Sequence, residues 1–161
     1  MTGSRRHPSD SVGAAYAMAA AAWAFAFALV SVAWALGSDL GATTLARSIE
    51  EQARERSGAF VATLWVTALL KALTGAIALS LVQRWGERVP RWLRLTGAWG
   101  AAVVLTLYGL AGIVEKVLWK TGARAIPPSF GADRVDWYLF FWDPVWLLGG
   151  ILFTIAAWRA R

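Results

Sequence analysis

Residues 59–82 read AFVATLWVTALLKALTGAIALSLV, and the fold turns on this stretch. It contains no proline and a single charge, Lys71, at its centre. A helix that crosses a bilayer needs about 20 mostly apolar residues, each advancing the axis by about 1.5 Å. The stretch is long enough to span. A soluble helix or strand spaces its apolar residues so that one face meets water, whereas here they form an unbroken block. Blocks of this kind call for lipid.

Working outward, three further blocks have the same character: residues 13–36, 95–118 and 137–158. Of the 161 residues, 58% are hydrophobic and 16% charged, and mean hydropathy is +0.49. Soluble domains carry roughly a quarter charged residues. The expected fold is therefore an all-α membrane protein, with four transmembrane helices in one antiparallel bundle over residues 1–161. A polar tail over residues 1–11 precedes it. The first block is too long for the 7–15-residue core of a signal peptide, so cleavage is not expected. Gly37 follows it as a helix stop.

Basic residues set the expected orientation. Arg5 and Arg6 stand in the tail, Arg84, Arg88, Arg91 and Arg94 in the second-to-third connection, and Arg159 and Arg161 at the carboxyl end. The other two connections are nearly balanced in sign. The positive-inside rule then places both termini in the cytoplasm of a multi-pass protein of the cell membrane. The net charge of +6 is explained by that rule and by anionic headgroups. No nucleic-acid-binding motif accompanies it, so nucleic acid is not an expected partner.

The first outer connection, residues 43–57, lacks proline and interior glycine. Arg47–Glu51 and Glu50–Arg54 have the spacing of helical ion pairs. Leu45, Ile49 and Ala53 form an apolar stripe, predicting a short amphipathic helix lying on the bundle or the headgroups. The second outer connection holds Pro127-Pro128 and reads as a loop. With no cysteine and one histidine, His7, the chain offers no disulfide, no thiolate and no multi-histidine metal site. No metal and no cofactor are expected.

Charges inside the blocks point to the place where function would reside. Each costs about 2.5–3.5 kcal/mol on insertion scales and tends to face protein or water. At about 100° per residue, Thr63, Thr67, Lys71 and Thr74 share one stripe of the second helix. Gly97, Ala101, Tyr108, Gly112 and Glu115 share a face of the third, Asp143, Trp146, Gly150 and Thr154 a face of the fourth. Trp23, Phe27, Ser31 and Trp34 do so in the first. Lys116 points about 100° away from Glu115 and is expected to snorkel. These faces predict an outward-opening pocket holding Lys71, Asp143, Glu115 and Tyr108, lined by Trp34, Trp65, Trp142 and Trp146. Lys71 is expected to pair with Asp143 or Glu115, either as chemistry or as a pair that fixes helix register. Asp143-Pro144 also reads as an N-cap followed by proline at the first helical position. The helix from Pro144 would then be about 22 Å long, and residues 137–142 would complete the crossing beyond a kink. Of the 11 tryptophans, Trp85, Trp92, Trp119, Trp137 and Trp158 fall where interfacial belts form.

Several of these stretches resemble a family of small bacterial four-span membrane proteins with no assigned function. They are Trp34-Ala-Leu-Gly-Ser with the segment from Leu45 to Glu51, Leu70-Lys71-Ala-Leu running on to Gln83-Arg84-Trp85-Gly86, and Leu107-Tyr108-Gly109. The most specific is Trp142-Asp143-Pro144, leading into Gly149-Gly150 and Ala156-Ala157-Trp158. The resemblance covers nearly all of the chain after residue 15 and implies a bacterial inner-membrane setting. It also implies a histidine and a tyrosine just before the first-helix tryptophan, where this chain has Ser31 and Ala33. It supports the topology and the choice of Lys71, Tyr108 and Asp143, and supplies no activity.

Three functions fit these residues. A binding or accessory protein would hold a lipid or small amphiphile against the polar and aromatic cluster. A membrane-embedded isomerase or cyclase would use Asp143 or Glu115 as acid and tryptophan faces against a developing cation, with Lys71 and Tyr108 as further catalytic candidates. A proton-coupled carrier would relay through Lys71 and Asp143, as a homo-oligomer, since four spans without a repeat are few for a monomer. The residues do not decide whether the chain is an enzyme.

Overall fold

The computed structural model describes residues 8–161, with side chains from Val12 onward. Of the expected polar tail, residues 1–7, including Arg5, Arg6 and His7, lie outside the described residues. The described residues are helical and contain no strand. The order is α1 (Pro8–Ala35), α2 (Arg47–Glu55), α3 (Gly58–Ser80), α4 (Arg91–Lys120), α5 (Val135–Trp137) and α6 (Asp143–Arg159), with a π-helical turn, Tyr138–Trp142, joining the last two. Four helical segments are long and apolar enough to cross a membrane: Val12–Ala35, Gly58–Ser80, Arg91–Lys120 and Ala132–Arg159. The chain is a multi-pass membrane protein.

Local chemistry sets the helix ends. Gly37 takes φ 106° after α1. Ser38 N then donates to Ala33 O and Gly37 N to Trp34 O, which satisfies two terminal carbonyls. Ser57 caps α3 by accepting from Phe60 N at 3.3 Å. Pro90 precedes α4, whose 30 residues make it about 45 Å long, the thickness of a bilayer with its headgroups. The turn between α3 and α4 folds so tightly that a Cβ on Gly86 would overlap the Ser80 carbonyl.

The long helices pack as an antiparallel bundle in which α1 and α6 are central. α1 lies along α3 on one side and α6 on the other, α4 lies along α6, and α3 touches α4 more briefly. Lipid tails are as apolar as leucine, so helices associate in them through close packing of small residues. The core accordingly consists of Ala20, Ala21, Ala24, Ala78 and Ala102 around Phe153. Cβ atoms on Gly75 and Gly149 would press on Phe25 and Trp23, and one on Gly150 on Thr106. Large apolar side chains, among them Leu69, Leu73, Val104, Leu107 and Phe140, point outward instead. This inside-out distribution suits lipid and would be a liability in water.

Two local expectations are revised. Asp143 is not an N-cap: Trp142 and Asp143 both have right-handed helical angles and no side chain caps α6. Helix instead runs through the preceding residues, and the wide π turn absorbs Pro144, whose ring crowds the carbonyl four residues back. The crossing is completed by that turn and α5. In α2, Arg54 pairs with Glu50 at 2.6 Å as expected, but Arg47 leaves Glu51 and reaches Asp133 at 2.8 Å. Arg134 also pairs with Glu50 at 2.8 Å, and Arg47 N and Ser48 N donate to Phe130 O and Ser129 O. The two connections at this end thus form one cap over the bundle.

Candidate functional site

Two sites emerge where one was expected, with Tyr108 bordering both. The first is a cavity of about 140 Å³ beneath α2, lined by Phe27, Val30, Trp34, Leu45, Ile49, Lys71, Tyr108, Tyr138, Trp142 and Trp146. Its walls form a continuous aromatic network. Phe27 lies 4.8 Å from Trp23 and 5.3 Å from Trp146 between ring centroids, Tyr108 meets Trp146 edge-on at 5.4 Å, and Trp34 sits 6.4 Å from Trp142. Three indole N–H groups hold these rings in place by donating to the Val145 carbonyl (Trp23), the Leu40 carbonyl (Trp34) and the Thr44 hydroxyl (Trp142). Leu45 and Ile49, the stripe read as facing the bundle, close the cavity from above.

Lys71 enters this cavity from α3. Its ammonium donates to Ser31 Oγ at 2.6 Å and lies 5.5 Å from the Trp146 ring centroid. Among the described residues it forms no ion pair. The expected pairing with Asp143 or Glu115 does not occur, because a nearer basic residue on α4 occupies both carboxylates. Trp65 also falls outside, on an apolar groove between α1 and α3, and is 47% exposed.

The second site is built on Lys116, which is buried rather than snorkelling, at 6% exposure. The loop after helix α4 folds back and brings Phe130 against Trp119 near the end of the helix, at 4.7 Å between ring centroids. The Lys116 ammonium lies 5.2 Å from the ring centroids of Trp119 and Tyr138 and 5.3 Å from that of Phe130. Trp119, read as part of an interfacial belt, is buried here, whereas Trp85, Trp92, Trp137 and Trp158 are exposed as such belts require. Lys116 reaches Glu115 at 3.2 Å and Asp143 at 3.7 Å, and Arg124 comes within 3.7 Å of Glu115.

Asp143 is 1% exposed and lies flat against Gly112, where any Cβ would collide with its carboxylate. Its Oδ2 has no hydrogen-bond partner among the described residues. Tyr108, Gly112, Glu115, Lys116, Arg124 and Asp143 line a cavity of about 470 Å³ with Ala111, Val114 and Leu118. Tyr108 thus borders both sites and Glu115 only the second. The residues sequence reasoning missed are Lys116 as the buried cation, Tyr138 and Phe130 as its cage, and Ser31 as the partner of Lys71. No cluster of three metal-ligating side chains occurs among the described residues.

Residues 24–153 match the family described as "Protein of unknown function (DUF3995)". No curated protein and no solved structure matches the chain.

Proposed function

The chain belongs to the family of proteins of unknown function DUF3995, which brings no activity with it, and from that premise we propose that it is a binding or accessory membrane protein. It holds a lipid or small amphiphile in the aromatic pocket around Lys71. The observation that carries this reading is the Lys71 ammonium, which faces a cavity whose lining contains no carboxylate.

The other polar groups of that lining are donors too. Tyr138 accepts from Ala46 N and keeps its own proton to give, while the Trp34 and Trp142 N–H groups are already committed. A pocket rich in donors and poor in acceptors suits a ligand whose polar end accepts, with an apolar body against the rings. At about 140 Å³ it takes a single ring or the head of a longer amphiphile. An acid-catalysing isomerase or cyclase would need Asp143 or Glu115 at this cavity, and a carrier relay would need Lys71 joined to Asp143. Neither arrangement supports those readings as well.

The proposed setting is the bacterial inner membrane, with both termini cytoplasmic and the α2 cap outside. Arg84, Arg88, Arg91, Arg94, Arg159 and Arg161 support this orientation by the positive-inside rule. The absence of cysteine makes it directly testable. An impermeant maleimide should label Ser129→Cys in intact cells and spare Arg88→Cys.

For the ligand, the full chain is purified in mild detergent and its retained small molecules are measured by mass spectrometry. The expected result is an amphiphile with the wild type that is lost in Lys71→Met and in Trp146→Ala. Equal retention in all three contradicts the reading.

A further inference from the structure

The cavity floored by Asp143 opens at the α2 end of α4, beyond the aromatic pocket, and its composition differs. Lys71 plays no part in it. Its floor is a carboxylate at 1% exposure whose Oδ2 makes no hydrogen bond and whose nearest cation, Lys116, stands 3.7 Å away. Buried carboxylate oxygens in folded proteins are nearly always satisfied, so an orphan calls for a donor. Its mouth carries Glu115, with its side chain 38% exposed, and Arg124, 65% exposed. Ala111, Val114 and Leu118 extend the lining along α4, and Val114 and Leu118 belong to the exposed apolar surface of the protein.

We propose that this cavity is a second binding site, which takes the headgroup of a phospholipid bearing a free primary ammonium. The ammonium reaches Asp143 and Glu115, the phosphate stays at the mouth with Arg124, and the acyl chains run down the apolar side of α4. Four features select this class of ligand. Lys116 is the caged cation inside. The other cation near the two carboxylates, Arg124, is 65% exposed at the mouth and 3.7 Å from Glu115, so a ligand ammonium can take its place there while the guanidinium turns to the phosphate. An exposed guanidinium at the mouth suits a phosphate. The cavity's about 470 Å³ falls within the range of ligand sites. Its flank, Val114 and Leu118, is part of the exposed apolar surface of a membrane-crossing helix. A quaternary ammonium has no N–H and could not satisfy the Asp143 oxygen, so the site should distinguish ethanolamine from choline lipids.

The test uses the full chain in detergent. Short-chain phosphatidylethanolamine, phosphatidylcholine and phosphatidylglycerol of the same acyl length are titrated, and the melting temperature is read. The expected result is half-maximal stabilisation by the ethanolamine lipid at a concentration on the order of tenfold below that of the choline lipid, the equivalent of one charge-assisted hydrogen bond. Asp143→Asn should abolish that preference. Because Asp143 is buried, Glu115→Gln at the mouth serves as a second variant and should reduce the preference in a chain that still folds. Equal response to ethanolamine and choline lipids overturns the proposal. A preference unchanged in Glu115→Gln overturns it as well. A glycerol lipid as effective as the ethanolamine lipid would show that Arg124 and phosphate alone carry binding, and would overturn the ammonium assignment.

Discussion

Lys71 and Lys116 are both lysines in membrane-crossing helices, and they differ in what each one meets. Lys116 has two carboxylates within 4 Å and three aromatic faces around it, so its charge is neutralised inside the fold. Lys71 has one hydroxyl and one indole face. A charge that is answered locally contributes to holding helices together. One that is not answered retains a demand that an outside molecule can meet. The contrast assigns the first lysine mainly to architecture and the second to binding.

Removing the two ammonium groups should therefore have unequal consequences. Lys116→Met strands Asp143 in the bundle and should cost about 3–5 kcal/mol, the usual penalty for breaking a buried pair. Thermal unfolding in detergent should show a large fall in melting temperature. Lys71→Met removes an ammonium that has no countercharge and loses only its hydrogen bond to Ser31, so it should cost the ligand-free protein no more than about 1 kcal/mol. Similar falls for both variants would erase the distinction.

A smaller effect is expected where α4 and α6 touch. Gly109 lies between Tyr108 of the aromatic pocket and Gly112 under Asp143, and a Cβ there would come within 2.6 Å of Leu147 N and 2.9 Å of Asp143 O. Gly109→Ala should force these backbones apart at a cost of about 1–3 kcal/mol. Because the clash is with the backbone carbonyl of Asp143, which asparagine keeps, its cost should be unchanged in an Asp143→Asn background, as a double-mutant cycle would register.

Ser31→Ala should cost about 1 kcal/mol, the worth of one hydrogen bond, and leave Lys71 still over Trp146. Tryptophan fluorescence should then still respond when Lys71 is replaced. Arg54→Ala removes a pair whose arginine is 77% exposed. It should change unfolding by no more than about 0.5 kcal/mol. A larger loss would mean that the α2 cap is part of the bundle's stability rather than a cover over the pocket.

The spans could be read from the sequence because each is a local block of apolar residues, and bilayer thickness converts block length directly into a crossing. The inward turn of Lys71 was readable in part for a related reason: Thr67 and Thr74 share its face and are half-buried, although Thr63 on the same stripe is exposed. Its partner was not. Periodicity tells which way a residue points on its own helix and nothing about which residue another helix offers. Lys116 was misplaced on the same account. Judged by its own helix it lies near an end, free to snorkel, and it is buried only because the loop after α4 returns with Phe130 and because Tyr138 sits on a π turn. Asp143 was read two ways, as a buried acid and as a cap. Asp-Pro is a strong local start signal, but helix already present before it leaves no exposed amide for the carboxylate to cap. Local signals located the elements, and contacts between distant elements decided the chemistry.

The most direct measurement is a pair of double-mutant cycles on unfolding free energy, one joining Lys116→Met with Asp143→Asn, the other joining Lys71→Met with the same Asp143→Asn. The structure predicts a coupling of at least about 1.5 kcal/mol for the first pair and less than about 0.5 kcal/mol for the second. A coupling between Lys71 and Asp143 as large as that of Lys116 would contradict the division of the two lysines, and with it the assignment of Lys71 to a ligand.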